Sequence, residues 1–343
     1  MVAVEPAEAL ARIAYLLETQ GAESYRVRAF RRAARVVADT PPERLRHLSS
    51  SGQLTSLAQV GATTAQAVTE TLARGIPTYL ETLEAEVVPP LQGRAAVIRA
   101  QLLGDCHSHS DWSDGGSPIA EMALAARSLG HQYMVLTDHS PRLTVARGLS
   151  PERLRSQLEE VELFNEKLHP FRILTGIEVD ILDDGSLDQE VELLQQLDLV
   201  VASVHSKLRM EPDQMTERMV NAVRDPNTDV LGHCTGRLLQ GRPRPPSTFD
   251  AAVVFTACME SGTAVEVNSR PERQDPPPDL LRLAVATGCF FSIDTDAHAP
   301  GQLEWLRLGC EQAADAGVPD GRIINAWPAE ELLKWAGSNR ATG

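Results

Sequence analysis

The sequence predicts an α/β barrel preceded by a small all-α domain, and three observations carry that expectation. From residue 102 onward, short apolar runs alternate with amphipathic stretches, which is the pattern of repeated βα units. Before that, residues 1–87 place apolar side chains at helical spacing only. Between the two, Val87-Val88-Pro89-Pro90-Leu91-Gln92-Gly93 breaks both patterns, so the expected organisation is a helical domain at 1–87, a linker at 88–101 and a barrel at 102–343. A chain of 343 residues has room for both, since domains commonly run to about 100–200 residues.

In the first region, residues 7–19 read as an amphipathic helix, 24–38 as an Arg-rich helix, and 54–73 as two short helices joined at Gly61. In the second, seven strands are expected, at 102–107, 132–137, 172–178, 198–203, 229–232, 264–268 and 289–294. Helices are expected among them at 117–129, 151–168, 213–223 and 249–261. The stretches Arg242-Pro-Arg-Pro-Pro246 and Asp275-Pro-Pro-Pro278 can continue neither a helix nor a central strand, so they fall in loops beside strand ends.

Composition narrows the class. Hydrophobic residues make up 43% and charged residues 23% of the chain, which suits a globular protein with an ample core. A net charge of −15 argues against broad attraction to nucleic acid or anionic lipid. Five cysteines (Cys106, Cys234, Cys258, Cys289, Cys310) form no Cys-x-x-Cys pair and sit in apolar surroundings, as free thiols of a reducing compartment do. No signal-like start and no apolar run of ~20 residues is present, so a cytoplasmic location without membrane partners is expected.

The histidines carry the chemistry. Six of the nine fall at or just past the end of an expected strand: His107 and His109 in Asp-Cys-His-Ser-His-Ser, His139 in Leu-Thr-Asp-His, His205 in Ala-Ser-Val-His, His233 in Leu-Gly-His-Cys and His298 in Thr-Asp-Ala-His. In parallel barrels these strand ends converge on one face, so the six should meet. His107 with His109, and Asp296 with His298, are two apart, which on an extended strand aims both side chains one way. Glu178, Asp114 and Asp296 add carboxylates, and nitrogen and oxygen donors without paired cysteines suit catalytic Zn²⁺, Mn²⁺ or Fe²⁺. Two or three divalent ions are expected, held by His107, His109, Asp114, His139, Glu178, His205, His233, Asp296 and His298. A single His near a strand end is usually only packed; six at equivalent places are not. His47, His131 and His169 fall on helices or helix ends and read as structural.

These motifs resemble the PHP (polymerase and histidinol phosphatase) superfamily, and in particular the PHP domain of bacterial family X DNA polymerases. The likeness rests on Gly104-Asp-Cys-His-Ser-His-Ser-Asp-Trp-Ser-Asp-Gly115, Leu136-Thr-Asp-His-Ser140, Gly176-Ile-Glu-Val-Asp-Ile-Leu182, Val201-Ala-Ser-Val-His-Ser206, Val230-Leu-Gly-His-Cys-Thr-Gly-Arg237 and Asp294-Thr-Asp-Ala-His298. It implies a distorted (β/α)7 barrel with a trinuclear centre. By position, His107, His109, Glu178 and Asp296 would hold one ion, Glu178, His205 and His233 a second, and Asp114, His139 and His298 a third. The N-terminal region is similar to the helix-hairpin-helix domain that opens those polymerases, through Tyr25-Arg-Val-Arg-Ala-Phe-Arg-Arg-Ala-Ala34 and Gly75-Ile-Pro-Thr-Tyr-Leu80. Two departures stand out: Gln59 replaces the first hairpin glycine, and Cys234 replaces the proline after the fifth-strand histidine.

The resemblance implies a phosphoesterase, with a metal-bound hydroxide held by Glu178 and Asp296 as nucleophile and DNA 3′ ends as substrate, by exonuclease or 3′-end phosphatase action in DNA repair. Only a short stretch separates the two regions where a polymerase would carry its palm and fingers, so no polymerase activity is expected. Arg237, Arg270 and Lys207 follow strand ends and are candidate phosphate contacts; Asp105, Asp138 and Asp294 adjoin ligands and are candidates to orient histidine rings from behind. Arg26, Arg28, Arg31, Arg32, Arg35 and Gly61 are candidate DNA contacts, against the plainer alternative of a solvated helix face. Two other functions compete: a small-molecule phosphatase of the histidinol-phosphate type, and a non-catalytic module that docks a DNA-repair protein.

Overall fold

A computed structural model describes residues 4–86 and 88–340; Val87, where the sequence pattern breaks, and residues 1–3 and 341–343 lie outside the described residues. The chain divides into two compact units, one ending at Pro90 and the other starting at Leu91.

The first unit is all helical: α1 (Pro6–Thr19), α2 (Ser24–Ala38), α3 (Pro42–Ser50), α4 (Ala62–Arg74) and α5 (Thr78–Glu84). Its core follows directly from helical spacing. Ala9, Leu10, Ile13, Ala14 and Leu17 of α1 meet Phe30, Ala33, Ala34 and Val37 of α2, with Val68, Leu80 and Leu83 closing the cluster. The first of the two short helices expected in 54–73 is only a 3₁₀ turn (Leu54–Ser56), too short for α-helical bonding before the chain bends. Gly61 then starts α4, its N–H donating to the Thr64 hydroxyl at 3.0 Å.

The second unit runs α6 (Gly93–Gln101), β1 (Gly104–Ser108), α7 (Ile119–Ser128), β2 (Tyr133–Leu136), α8 (Pro151–Leu168), β3 (Arg172–Asp180), α9 (Val191–Leu194), β4 (Leu199–Ser203), α10 (Pro212–Val223), β5 (Val230–Leu231), α11 (Ala251–Ser261), β6 (Ala264–Asn268), α12 (Pro278–Thr287), β7 (Phe291–Asp294), α13 (Leu306–Ala316) and α14 (Ala329–Arg340). Residues 93–101, expected within a linker, form α6: the proline break ends before them, and Ala95 and Ile98, one turn apart, enter the barrel core. Side chains cap two of these helix starts: Ser150 of α8 accepts from Arg153 N–H, with Pro151 in the first position, and Asp250 of α11 accepts from Val253 N–H.

The seven strands pair in sequence order, all parallel, as β1-β2-β3-β4-β5-β6-β7. The ring is nearly closed beyond β7, where Ser108 and Ala297 form a parallel bridge and His109 N–H donates to Ala297 O at 2.8 Å. Lower on the same seam, the buried Asn325 side chain donates to Gly104 O (3.0 Å) and Ile293 O (2.7 Å) and accepts from Ile293 N–H (3.2 Å), while its own carbonyl accepts Leu103 N–H. One amide thus joins the first strand to the last.

Strand alternation assigns most side chains to one of two surfaces; β1 departs from it, its register against β2 shifting between Asp105 and Ser108 so that Cys106 joins the interior cluster while the next residue, His107, faces Glu178. Met134, Leu136 and Ile173 pack against α7, and Ile177, Val179, Val200, Ala202, Leu231, Val265 and Val267 join a larger cluster with the outer helices. The opposite phase, Tyr133, Val135, Leu174, Leu199, Val201, Val230 and Ala264, fills the interior and is closed off by Ile324 and Leu332. Continuing that inward phase toward the strand ends gives Thr137 and His139, Gly176, Glu178 and Asp180, Ser203 and His205, and Glu266 and Asn268. Space is tight below them: a Cβ on Gly176 would lie 2.7 Å from Val135 Cγ1 and 2.8 Å from Leu199 O. Thus the barrel is apolar at its base and polar at its mouth.

Candidate metal centre

Glu178 is the hub of that mouth. It is buried, and its Oε1 lies 2.9 Å from His233 Nε2 and 3.2 Å from His205 Nε2, while Oε2 lies 2.9 Å from His139 Nδ1, 3.4 Å from His107 Nε2 and 3.6 Å from His109 Nε2. His109 Nε2 also lies 3.4 Å from Asp296 Oδ1, and Asp114 Oδ1 stands 3.3 Å from His298 Nε2 and 3.5 Å from His139 Nε2. All nine side chains expected from the sequence therefore gather at one place. Donor atoms close enough to share an ion form the groups His109, Asp114, His139 and His298; His107, His109 and Glu178; and His139, Glu178 and His205.

The fit to metal can be judged from hydrogen bonding. Buried polar atoms normally have partners, yet His107 Nε2, both ring nitrogens of His109 and His205, His139 Nδ1, His233 Nδ1 and Glu178 Oε2 have no hydrogen bond. So many orphaned nitrogen and oxygen donors in one cleft cost several kcal/mol unless a cation or protons satisfy them. The set is all nitrogen and oxygen, and the five cysteines are buried elsewhere, so divalent ions fit.

Charge tells the same story. Burial opposes ionisation of Glu178, but His205, His107 and His139 hold its carboxyl well below the usual range. Against the same burial, Glu178, Glu266 and Asp296 hold the His107 imidazole well above its ordinary value, and Glu178 with Asp180 raises His205 to about 9. Burial, reinforced by His298 and His139, pushes His109 the other way. Without cations, the site compensates its carboxylates by protonating some imidazoles; divalent ions would displace those protons.

Several residues that the sequence did not single out complete the site. Glu266 lies beneath His107, its Oε1 accepting from Nδ1 at 2.6 Å, while its Oε2 accepts His233 N–H at 2.5 Å and Asn268 Nδ2 at 3.2 Å. That bond keeps Nδ1 engaged, so Nε2, facing Glu178, is the nitrogen that would offer its lone pair to an ion once the extra proton is displaced. Asp180 stands behind His205, 3.5 Å from Nδ1. His298 Nδ1 lies 2.9 Å from both Asp296 O and Arg270 Nη1, so Nε2 is the nitrogen turned toward Asp114. A visible signal existed for Glu266: a carboxylate in the middle of Ala-Val-Glu-Val-Asn, a central strand, in phase with the inward positions.

Asp105, Asp138 and Asp294 require correction, because the hydrogen bonds they accept come from backbone, hydroxyl and amide groups and not from a histidine ring. Asp138 accepts from the N–H and hydroxyl groups of Ser110 and Ser113 and from Gln157 Nε2. Asp105 accepts His107 N–H and the Thr295 hydroxyl, and Asp294 accepts Cys106 N–H at 2.8 Å, so this pair lies in the seam between β1 and β7. Burial raises both; Asp105, eased by its bonds to Thr295 and His107, reaches about 6, and the Asp105 charge pushes Asp294 further up.

The cations also need correction. Arg270 lines the cleft, contacting Asp296 and the Trp305 ring, but Lys207 pairs with Asp183 on an exposed surface, and Arg237 donates to the carbonyls of Arg273 and Gln274. Arg273, which the sequence did not single out, lines the cleft instead, with Nε 3.2 Å from Asp296 Oδ2. Among the described residues five non-glycine residues have left-handed backbone, and four of them, Arg147, Lys207, Gln274 and Asp296, lie in loops that follow barrel strands.

In the helical unit, Arg31 is committed to Glu18 through two bonds (2.8 and 2.7 Å) and Arg26 to the Tyr79 hydroxyl. Arg28 and Arg32 are exposed and line a surface hollow with Thr55–Gly61, the hairpin whose Gln59 keeps a left-handed φ of 65°. Arg35 is exposed on the same helix. No helix among the described residues is long and apolar enough to cross a membrane.

Comparison with known proteins agrees with this geometry. Residues 3–76 match the helix-hairpin-helix domain family and residues 105–270 match the PHP domain family. The chain is 38% identical over 226 residues to the DNA polymerase/3′-5′ exonuclease PolX of Bacillus subtilis (strain 168), a match covering 66% of this chain and 39% of that protein. It is 28% identical to a probable phosphatase of Thermoanaerobacter sp. (strain X514), over 66% of this chain and 91% of that one. A probable phosphatase of Acetivibrio thermocellus is 32% identical over 48% of this chain and 64% of its own. The chain thus carries a PHP domain preceded by a helix-hairpin-helix domain.

Proposed function

We propose that this chain is a metal-dependent phosphoesterase that hydrolyses phosphoester bonds at DNA 3′ ends. The observation that carries the reading is the cluster of orphaned imidazole nitrogens around Glu178 in one cleft. His107, His109, Glu178 and Asp296 would hold one divalent ion, Glu178, His205 and His233 another, and Asp114, His139 and His298 a third. Such ions supply Lewis acidity and lower the pKa of water to about 7, which supports phosphoryl displacement at neutral pH.

The protein's own residues do the positioning. Arg270 and Arg273 border the ligands and are placed to neutralise non-bridging phosphate oxygens. Glu266 and Asp180 fix the rings of His107 and His205 from behind. Leu143, Ala146 and Leu238 narrow the opening of a cleft of about 330 Å³, limiting bulk water around the reacting group. The DNA part of the reading is supported by the helix-hairpin-helix match and by the name of the Bacillus relative, with Arg28, Arg32 and the Gly61 hairpin offering a surface for backbone phosphates.

A small-molecule phosphatase is the second reading, favoured by the net charge of −15 and by the relatives named probable phosphatases. One experiment separates the two. Purified protein with Mn²⁺ is offered 3′-recessed duplex DNA, 3′-phosphorylated DNA and histidinol phosphate, with His107→Ala as control. Release from either DNA end, lost in the control, is expected; turnover of histidinol phosphate alone would reject the DNA reading.

A further inference from the structure

The mouth of the cleft carries two unlike surfaces. Its floor is the ligand cluster with Arg270 and Arg273, and its rim includes Leu143, Val145 and Leu238. Val145 is 90% exposed although it borders the site, and none of these three side chains packs into a core cluster among the described residues. An exposed valine on a loose loop would mean little, but this one is held. Arg147 donates to Asp111 O and Ser113 O, Arg153 donates to Arg147 O, Gly148 O and Trp112 O, and Leu149 N–H donates to His139 O at 2.7 Å. Gly148 packs so closely on Ser140 O that any Cβ there would overlap it. Leu238 is equally fixed, by a two-bond bridge to Arg244 (2.9 Å each).

Rigid backbone presenting apolar side chains to water beside a charged floor is preorganised for an amphipathic ligand, phosphate at one end and an apolar ring at the other. We infer that Leu143, Val145 and Leu238 form a lip against which a nucleobase of the substrate lies, so that the cleft selects base-bearing phosphoesters. The inference rests on the phosphoesterase reading above and narrows its substrate class. A bare sugar phosphate leaves Val145 wet; a base has an apolar face whatever its identity, so contact here gives preference for a nucleotide without preference for sequence.

The test uses the full chain with Mn²⁺ and two oligonucleotides identical except at the 3′-terminal residue, which in one carries thymine and in the other is an abasic tetrahydrofuran, each tested with a 3′-phosphate and with a 3′-hydroxyl. Wild type is expected to favour the base-bearing end about tenfold in kcat/KM, mainly through KM. Val145→Ser, at a site too exposed to affect folding, and Leu238→Ser are expected to lower the rate on the base-bearing end several-fold more than on the abasic end, removing most of that preference. Equal rates on the two ends in wild type, or an equal loss on both in the variants, would overturn the lip assignment and leave the phosphoesterase standing. Cleavage of neither end would overturn the DNA reading and the lip with it.

Discussion

Replacing Glu266 by glutamine removes a charge but almost no volume, and the consequence follows from counting donors. One carboxylate oxygen accepts from His107 Nδ1 at 2.6 Å, and the other accepts His233 N–H at 2.5 Å and Asn268 Nδ2 at 3.2 Å. Glutamine has a single oxygen, so its NH₂ must face either the imidazole or the backbone amide, and one buried donor loses its acceptor. An unmade bond of that kind costs ~1–3 kcal/mol. In a domain of this size each kcal/mol moves the melting temperature by ~2–4 °C, so metal-free Glu266→Gln should melt roughly 2–12 °C below wild type. The larger effect is on metal. His107 loses the anion that fixes its tautomer and raises its basicity, a loss that weakens metal affinity ~10–100-fold. Titration of Zn²⁺ against a competing chelator at neutral pH reads the affinity, and circular dichroism shows whether the fold persists. A folded Glu266→Gln protein that binds Zn²⁺ as tightly as wild type would refute the assignment of Glu266 as the group that orients His107.

Three other perturbations have definite outcomes. His131 is buried, and that burial, with the Arg99 charge adding to it, pushes its ring down to about 3; the unfolded chain, titrating near ~6.5, then holds one more proton between those values, so stability falls on acidification by ~1.4 kcal/mol per pH unit. Urea unfolding should show wild type losing ~2 kcal/mol more than His131→Leu between about pH 6.5 and 5, and parallel pH profiles would contradict this. Arg273→Ala should lower kcat/KM at least ~10-fold while Lys207→Ala stays within about twofold, since only Arg273 borders the cleft; steady-state kinetics with the hydrolysed substrate decide it. Asn325→Leu strands the groups its amide joins at Gly104 and Ile293 and should cost ~1–3 kcal/mol in denaturant unfolding.

The barrel was legible because its strands, β1 apart, alternate and its chemistry sits at their ends. In Leu199–Ser203 the outward Val200 and Ala202 interleave with inward Leu199, Val201 and Ser203, and His205 continues the inward phase. The same rule explains the mistaken aspartates. Asp138 and His139 are neighbours in sequence and therefore point to opposite sides, so the groups behind the rings come from positions two apart or from another strand, as Glu266 does for His107. Arg273 and Arg237 were indistinguishable in sequence, since both lie in polar loops past strand ends; only the path of the chain after β6 decides which enters the cleft and which braces the other's backbone. Helix α6 was missed because nine residues with two buried apolar positions make a weak periodic signal.

Closure of the ring has a consequence for how the centre comes into being. His107 lies on the first strand and His109 just past its end, whereas Asp296 and His298 follow the last, nearly two hundred residues later, and they become neighbours only when the two edges meet. A cation gripped by His109 and Asp296 together is therefore also a clasp on that edge-to-edge junction. Its binding energy adds to the circular form and is absent from any opened one, so occupancy and circularity rise and fall together by mass action. Scarcity of metal would then loosen the barrel first at its β1–β7 junction, where the Asn325 amide, the aspartate bonds of Asp105 and Asp294 and the His109 N–H to Ala297 O bond would be left to hold the edges together.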